Sequence, residues 1–316
     1  MPSILTKSKG KSATKNRGSN SKEKIMKKVK SDSAGSSFLE RSPGTFKNLK
    51  KYENLLRELV HKNIKLQYRG SVLGLFWTCL QPLLTMIVLA FVFSQIFGKT
   101  AGVKNYPVYL LTGRLLFDFY SGSTKKSMRS IRANASIIKK VYVPKYFYPI
   151  SNIISTFITF LVSLIDLVIV IAFYNIFIPA KSIEFTWWLP LSIVPILMLV
   201  VLCFGVGMIL STMGVFFRDI EYLYDVFCLL LFYMTPIVYT VDRLGLGKYS
   251  VILKANPLYG ILQFFRGCVI NGPDFTAWWS SGLKWSVLYS AVFSLVLAGV
   301  GLFIFYKKQD KFILHI

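Results

Sequence analysis

The sequence predicts an all-α polytopic membrane protein: six transmembrane helices, an N-terminal amphipathic helix lying on the membrane surface, and an external re-entrant helical hairpin between spans five and six. Three observations carry this expectation. Hydrophobic residues make up 53% of the 316 residues and mean hydropathy is +0.51, too apolar for a chain whose surface is solvated by water. The apolar residues gather in runs that reach the ~20 residues needed to cross hydrocarbon. The formal charge of +24 is concentrated: 18 of the 38 Lys and Arg precede Ser71, upstream of every long apolar run. Basicity confined to a tail and loops argues for a membrane protein and against a nucleic-acid footprint.

Residues 1–45 read as a disordered basic cytosolic tail, rich in Ser and Lys and without the ~7–15-residue apolar core of a signal peptide. Ten Lys or Arg against two acids up to Ser37 would draw it to anionic lipid headgroups, at ~1 kcal/mol per basic residue near the surface. A solvated tail with no specific partner fits the same composition. Over 52–68, Tyr52, Leu55, Leu56, Leu59, Val60 and Ile64 recur at helical spacing opposite a mostly charged face, the pattern of a helix lying in the interface.

The remainder, 46–316, forms one transmembrane domain. The first span, about 72–97, has no charge over 26 positions and a kink expected at Pro82. The second, 106–124, carries Arg114 and Asp118 at i and i+4, where they neutralise each other on one helix face. The third, 146–176, is interrupted only by Asp166, and the fourth, 187–215, opens with Trp187 and Trp188 as interfacial anchors. Spans five and six cover 222–241, with Asp225 near its start, and 285–306. Residues 255–270 are apolar for only 16 positions and contain Arg266, too short for a span and too apolar for a loop, hence the re-entrant reading.

An even number of spans puts both termini on one side. With the N-terminus inside, the inner segments hold 29 Lys and Arg and the outer segments eight, and without the ten of the tail the ratio is still 19 to eight. Both termini are therefore expected in the cytoplasm.

The chain offers no catalytic and no metal site. Its two histidines, His61 and His315, have no second ligand candidate nearby, and Cys79, Cys203, Cys228 and Cys268 lie in or beside apolar runs without metal-ligand spacing. No G-x-x-x-x-G-K-[ST] phosphate loop and no G-x-S-x-G elbow is present. The protein is expected not to be an enzyme by itself, which leaves movement of a cargo across the membrane. The loop at 125–145, KKSMRSIRANASIIKKVYVPK, is basic and holds a short helix-like run, Ile131 to Tyr142, stopped before Pro144. From composition alone it is equally a positive-inside loop resting on lipid.

Five blocks in order resemble the permease subunits of ABC-2-type polysaccharide exporters, the family that exports O-antigen, capsule and teichoic-acid glycans. They are QYRGSVLGLFWTCLQPLLTMIVLAFVFSQIFG at 67–98, YPVYLLTG at 106–113, NASIIKKVYVPK at 134–145, FFRDIEYL at 216–223 and NPLYGILQFFR at 256–266. The resemblance covers almost everything after about Lys50. It implies that the 125–145 loop carries a coupling helix docking on a separate nucleotide-binding ATPase subunit through Asn134, Ile137, Ile138, Lys139, Lys140, Tyr142 and Pro144. It also implies two permeases, a homodimer of this chain, working with two ATPases that hold ATP and Mg, so that this chain binds no cofactor itself. The 52–68 helix resembles the family's interface helix, and 255–270 its external re-entrant helices.

A lipid-linked glycan cargo would present a multiply anionic pyrophosphate, for which Lys62, Lys65 and Arg69 are the basic cluster expected at the inner membrane edge. Trp77 and Tyr106, near opposite ends of the first crossing, suit a glycan path. Gly205 with Gly207 and Gly299 with Gly301 fit close helix packing better than cargo contact. The charged Arg114 and Asp118 depart from the uncharged residues the family carries there. A bacterial or archaeal cytoplasmic membrane follows from the family. Two other readings share part of this pattern: an ABC-2 exporter of a drug or small molecule, and an ion-driven secondary transporter, which would require paired midplane acids and an internal repeat.

Overall fold

The computed structural model describes residues 52–97, 105–140, 143–178, 183, 188–241, 253–270 and 283–315. The 1–45 tail and Tyr142 lie outside the described residues. The chain divides into the units Met1–Leu55 and Leu56–Ile316, and the second contains the helical bundle. The described residues are helical, with no strand among them.

Helix α1, Glu53–Gln67, buries Leu59 and half-buries Leu56, Val60 and Ile64, while His61, Lys62 and Lys65 stay exposed. Asn63 Nδ2 donates to Ser151 Oγ at 3.3 Å and docks it. After Tyr68 the chain turns at Gly70 and Gly74, whose φ of 79° and 50° fall in the left-handed region where only glycine sits without strain. A 3₁₀ turn, Gly74–Phe76, leads into α2, Trp77–Phe97, which contains Pro82. Then come α3, Tyr106–Ala133, capped by Asn105; the short α4, Ala135–Ile138; α5, Phe147–Phe177; and, after a 3₁₀ turn at Leu189–Ser192, α6, Ile193–Phe216. Helices α7, Ile220–Met234; α8, Pro257–Val269; α9, Lys284–Lys308; and α10, Phe312–His315, complete the fold.

Four segments combine the length and apolarity of a membrane crossing: Gly74–Phe93, Phe147–Phe177, Leu189–Phe216 and Lys284–His315. Helix α3 is long enough at 28 residues but carries Arg114, Asp118 and a basic C-terminal end. Helix α7 has 15 residues, ~22 Å at ~1.5 Å per residue, against ~30 Å of hydrocarbon. Of the expected hairpin, α8 is described, and all its residues except Pro257 and Gln263 are buried. It packs among α3, α6 and α9.

Helix α3 continues nine residues past the end of the expected span because nothing from Lys125 to Ala133 breaks a helix. Asn134, at φ −110° and ψ 17°, ends it. One face of its C-terminal half is Ser123, Thr124, Ser127 and Ser130, all at most 1% exposed, and small side chains of this kind let a neighbouring backbone approach. On α6 the matching residue is Gly207, where a Cβ would lie 3.1 Å from Ser127 Cβ.

Helices α6 and α9 touch backbone to backbone. A Cβ on Gly205 would stand 2.5 Å from the Leu297 carbonyl carbon, and one on Gly301 would overlap the Gly205 carbonyl oxygen. Gly299 differs from the packing expectation: nothing lies within 4 Å of where its Cβ would be, because it is on the opposite side of α9. The main core joins α3, α5, α6 and α8, whereas α2 contributes only Met86 to it.

Candidate functional site

At the end of the bundle where α1 lies, four chain segments are tied together by polar contacts. Lys125, Arg129 and Arg132, at i, i+4 and i+7 on α3, meet the first two turns of α7. Lys125 Nζ is 2.7 Å from Asp225 Oδ1, Arg129 Nε is 3.0 Å from Glu221 Oε2, and Arg132 pairs with Glu221 Oε1. Cations at the C-terminus of α3 and acids at the N-terminus of α7 also suit both helix dipoles. Burial and the neighbouring Arg218 and Arg129 lower Arg132 from the ordinary arginine value.

Asn134 joins α1 to this network. Its Oδ1 accepts from Lys62 Nζ at 3.1 Å and its Nδ2 donates to Ser130 O at 2.8 Å. The helix it introduces, α4, buries Ile138 at 7% and leaves Ile137 37% exposed, with Lys139 and Lys140 exposed beside it. Pro144 is half-buried at the foot of α5. Lys145 Nζ donates to Gln309 O at 2.5 Å and stands 5.8 Å from the Phe312 ring, which is fully buried against Phe305 and Phe216 and anchors α10. Burial lowers the Lys145 ammonium and Asp310 acts in the other direction.

A cleft of about 410 Å³ opens between α2, α3 and α5 beside the end of α1. Its mouth carries a chain of contacts: Lys126 Nζ to Gln67 Oε1 at 2.8 Å, Gln67 Nε2 to Tyr68 OH at 3.1 Å, and Tyr68 OH to Thr78 Oγ1 at 2.5 Å. Trp77 and Gln81 of α2, Asp118 and Gly122 of α3, and Thr156, Thr159 and Ser163 of α5 form the walls. Phe119 and Phe160, with ring centroids 5.1 Å apart, form an apolar part of the wall. Arg114 Nε donates to Asp118 Oδ2 at 2.8 Å and its guanidinium lies 5.5 Å from the Phe232 ring of α7. Asp166, one turn beyond Ser163, is fully buried beside Cys79.

At the far end of α3, Arg266 of α8 is 3% exposed and bonds to carbonyls instead of a carboxylate. Nη1 donates to Pro236 O at 2.6 Å, Nη2 to Tyr109 O at 2.9 Å and Ile237 O at 3.0 Å, and Nε reaches Thr112 Oγ1 at 3.4 Å. The guanidinium is 3.4 Å from the Tyr109 ring centroid, a cation–π contact in a buried site. Asn256 caps α8 through Leu258 N at 3.0 Å and donates to Thr235 Oγ1 at 2.9 Å.

These positions separate residues that the sequence groups. Of Lys62, Lys65 and Arg69, the first is engaged by Asn134, the other two are exposed, and none lines the cleft. Trp77 lines it, but Tyr106 sits at the other end of α3, donating to Val238 O at 2.8 Å. The lysine at the cleft is Lys126, hidden in the sequence as one of seven loop cations. Glu221 and Arg266 gain their meaning only from partners 92 and 157 residues away.

Comparison with known proteins fits this architecture. Residues 54–270 match the family model for the ABC-2 type transporter. The O-antigen export system permease protein RfbA of Klebsiella pneumoniae is 31% identical over 260 residues, 82% of this chain and 93% of the relative. Its counterpart in Myxococcus xanthus is 27% identical over 223 residues, 70% of this chain and 82% of the relative. The polysialic acid transport protein KpsM of Escherichia coli is 24% identical over 254 residues, 79% of this chain and 91% of the relative. With apolar helices long enough to cross a bilayer and a family match over most of its length, this integral membrane protein belongs to the ABC-2 type transporter family.

Proposed function

We propose that this chain is the permease half of an exporter that carries a lipid-linked cell-envelope polysaccharide across the cytoplasmic membrane, powered by ATP hydrolysed with Mg on a separate subunit. The observation that carries the reading is the match to a permease of an O-antigen export system over 93% of that permease's length. In this reading α2, α3, α5, α6, the α7 region and α9 are the six crossings, α8 belongs to the external re-entrant region, and both termini are cytoplasmic. Two copies of the chain work with two ATPases.

The α1 end supplies what ATPase docking requires. Ile137 is an apolar knob on α4 next to the exposed Lys139 and Lys140, and the base of α4 is held by Lys62, Asn134 and the Glu221 ion pairs. Force applied there passes to α1, α3 and α7 together. Depleting the chain in its host is expected to leave lipid-linked polymer in the inner leaflet, and purification is expected to bring the ATPase with it. Ile137→Asp places a charge in the docking face without touching the core and should abolish both co-purification and export. Unchanged co-purification, or polymer reaching the surface without the chain, would refute the proposal.

A further inference from the structure

The α5 wall of the cleft between α2, α3 and α5 is one-sided in its chemistry, whereas Gln81 of α2 and the Arg114-paired Asp118 of α3 line the other walls. A Ser or Thr hydroxyl has one hydrogen to donate and two lone pairs, and here the hydrogens are directed away from the cavity. Thr156 Oγ1 donates to Asn152 O at 2.8 Å, Thr159 Oγ1 to Ser155 O at 3.0 Å, and Ser163 Oγ to Thr159 O at 3.2 Å. Lone pairs are left for the cavity, so the α5 wall accepts. At the mouth stands the ammonium of Lys126, bonded to the neutral amide of Gln67 and within ion-pair distance of no carboxylate among the described residues. Trp77 adds a ring 43% exposed.

An accepting wall, one unneutralised cation and an aromatic plate together select a ligand with several O–H donors, an anionic group and an apolar face. The volume, about 410 Å³, is in the ~300–1,000 Å³ range of small-molecule sites. The α3 residues along it, from Leu115 to Lys126, span ~16 Å at ~1.5 Å per residue. That length fits a phosphorylated sugar head and excludes a folded polymer. We infer that this cleft, inside a single protomer, binds the phosphate-bearing sugar head of a lipid, the phosphoryl oxygens at Lys126 and the sugar hydroxyls against Thr156, Thr159 and Ser163. The inference rests on the polysaccharide-export reading for its cargo, but the chemistry it names is shared by a bulk lipid with a phosphate and a polyol.

The test uses the permease purified with its ATPase and three probes in detergent: a fluorescent polyprenyl pyrophosphate carrying one hexose, the same lipid without sugar, and phosphatidylglycerol. The hexose lipid is expected to bind most tightly. Lys126→Gln should weaken both pyrophosphate lipids by ~10–100-fold, as expected for loss of a charged hydrogen bond, and Thr159→Val the hexose lipid alone by ~5–10-fold. Lys126→Arg should recover most of the affinity, which separates charge from packing. Equal binding by wild type and Lys126→Gln overturns the site. Phosphatidylglycerol binding as tightly as the hexose lipid, with Thr159→Val indifferent, overturns the sugar assignment and leaves a bulk-lipid site. Either failure leaves intact the accumulation of polymer on depletion, which tests the export reading separately.

Discussion

Removing Arg266 sets two large terms against each other. Replacement by Met, of similar length and apolar, discards three charge-assisted bonds to Pro236, Tyr109 and Ile237 at 2.6–3.0 Å, worth ~1.5–3 kcal/mol each. Two of the acceptors keep a donor: Pro236 O still receives Tyr109 OH at 3.2 Å, and Tyr109 O remains within α3. The opposing term is the several kcal/mol no longer spent desolvating a buried guanidinium. The balance is a loss of about 3 kcal/mol. At ~2–4 °C per kcal/mol for a domain of this size, the midpoint of thermal unfolding in detergent should fall by ~6–12 °C. Arg266→Lys is the sharper variant, since it keeps the buried charge and loses the fork that reaches three carbonyls. It should be less stable than Arg266→Met. A Met variant as stable as wild type, or a Lys variant more stable than Met, would refute the account of Arg266 as a clamp held by its hydrogen bonds.

Three further outcomes are expected from the packing and the ion pairs. Gly301→Ala should cost ~1–3 kcal/mol or more, because its methyl meets the Gly205 carbonyl, whereas Gly299→Ala, facing open space, should be neutral or stabilise by up to ~1 kcal/mol from helix propensity; thermal unfolding of the pair checks both. Glu221→Gln leaves Arg129 and Arg132 without their shared acid and should lower stability by about 1 kcal/mol, a value discounted for partial exposure. Its larger effect should be on ATP-driven export, since α3 and α7 keep the Lys125–Asp225 pair but lose both ion pairs to Glu221; export at the wild-type rate would count against a coupling role for those two pairs.

What the sequence made legible are properties of one segment at a time. Helices α5 and α9 begin and end, and α6 ends, within a few residues of apolar runs, and the amphipathic stripe of α1 is visible at 52–68. The family was legible from five short blocks, and the structure supplies reasons for one of them. In NPLYGILQFFR, Asn256 is the cap, Gly260 leaves room for the Ser286 carbonyl, and Arg266 is the clamp. The remainder depends on pairs. The basic run after Lys125 resembles a loop because its charges look unpaired until Glu221 and Asp225 are brought against it. Lys126 is indistinguishable from its neighbour Lys125 in sequence, yet one faces the cleft and the other α7. A hydroxyl's direction, which sets the cleft's preference for donors, has no trace in composition.

Helix α3 connects these two kinds of site without interruption. Its 28 residues make a rod of ~42 Å at ~1.5 Å per residue, clamped by Arg266 near its first turn and by Glu221 near its last. The cleft wall from Leu115 to Lys126 lies between the two clamps, so what fixes the two ends of this rod also fixes the span of the cleft along its flank.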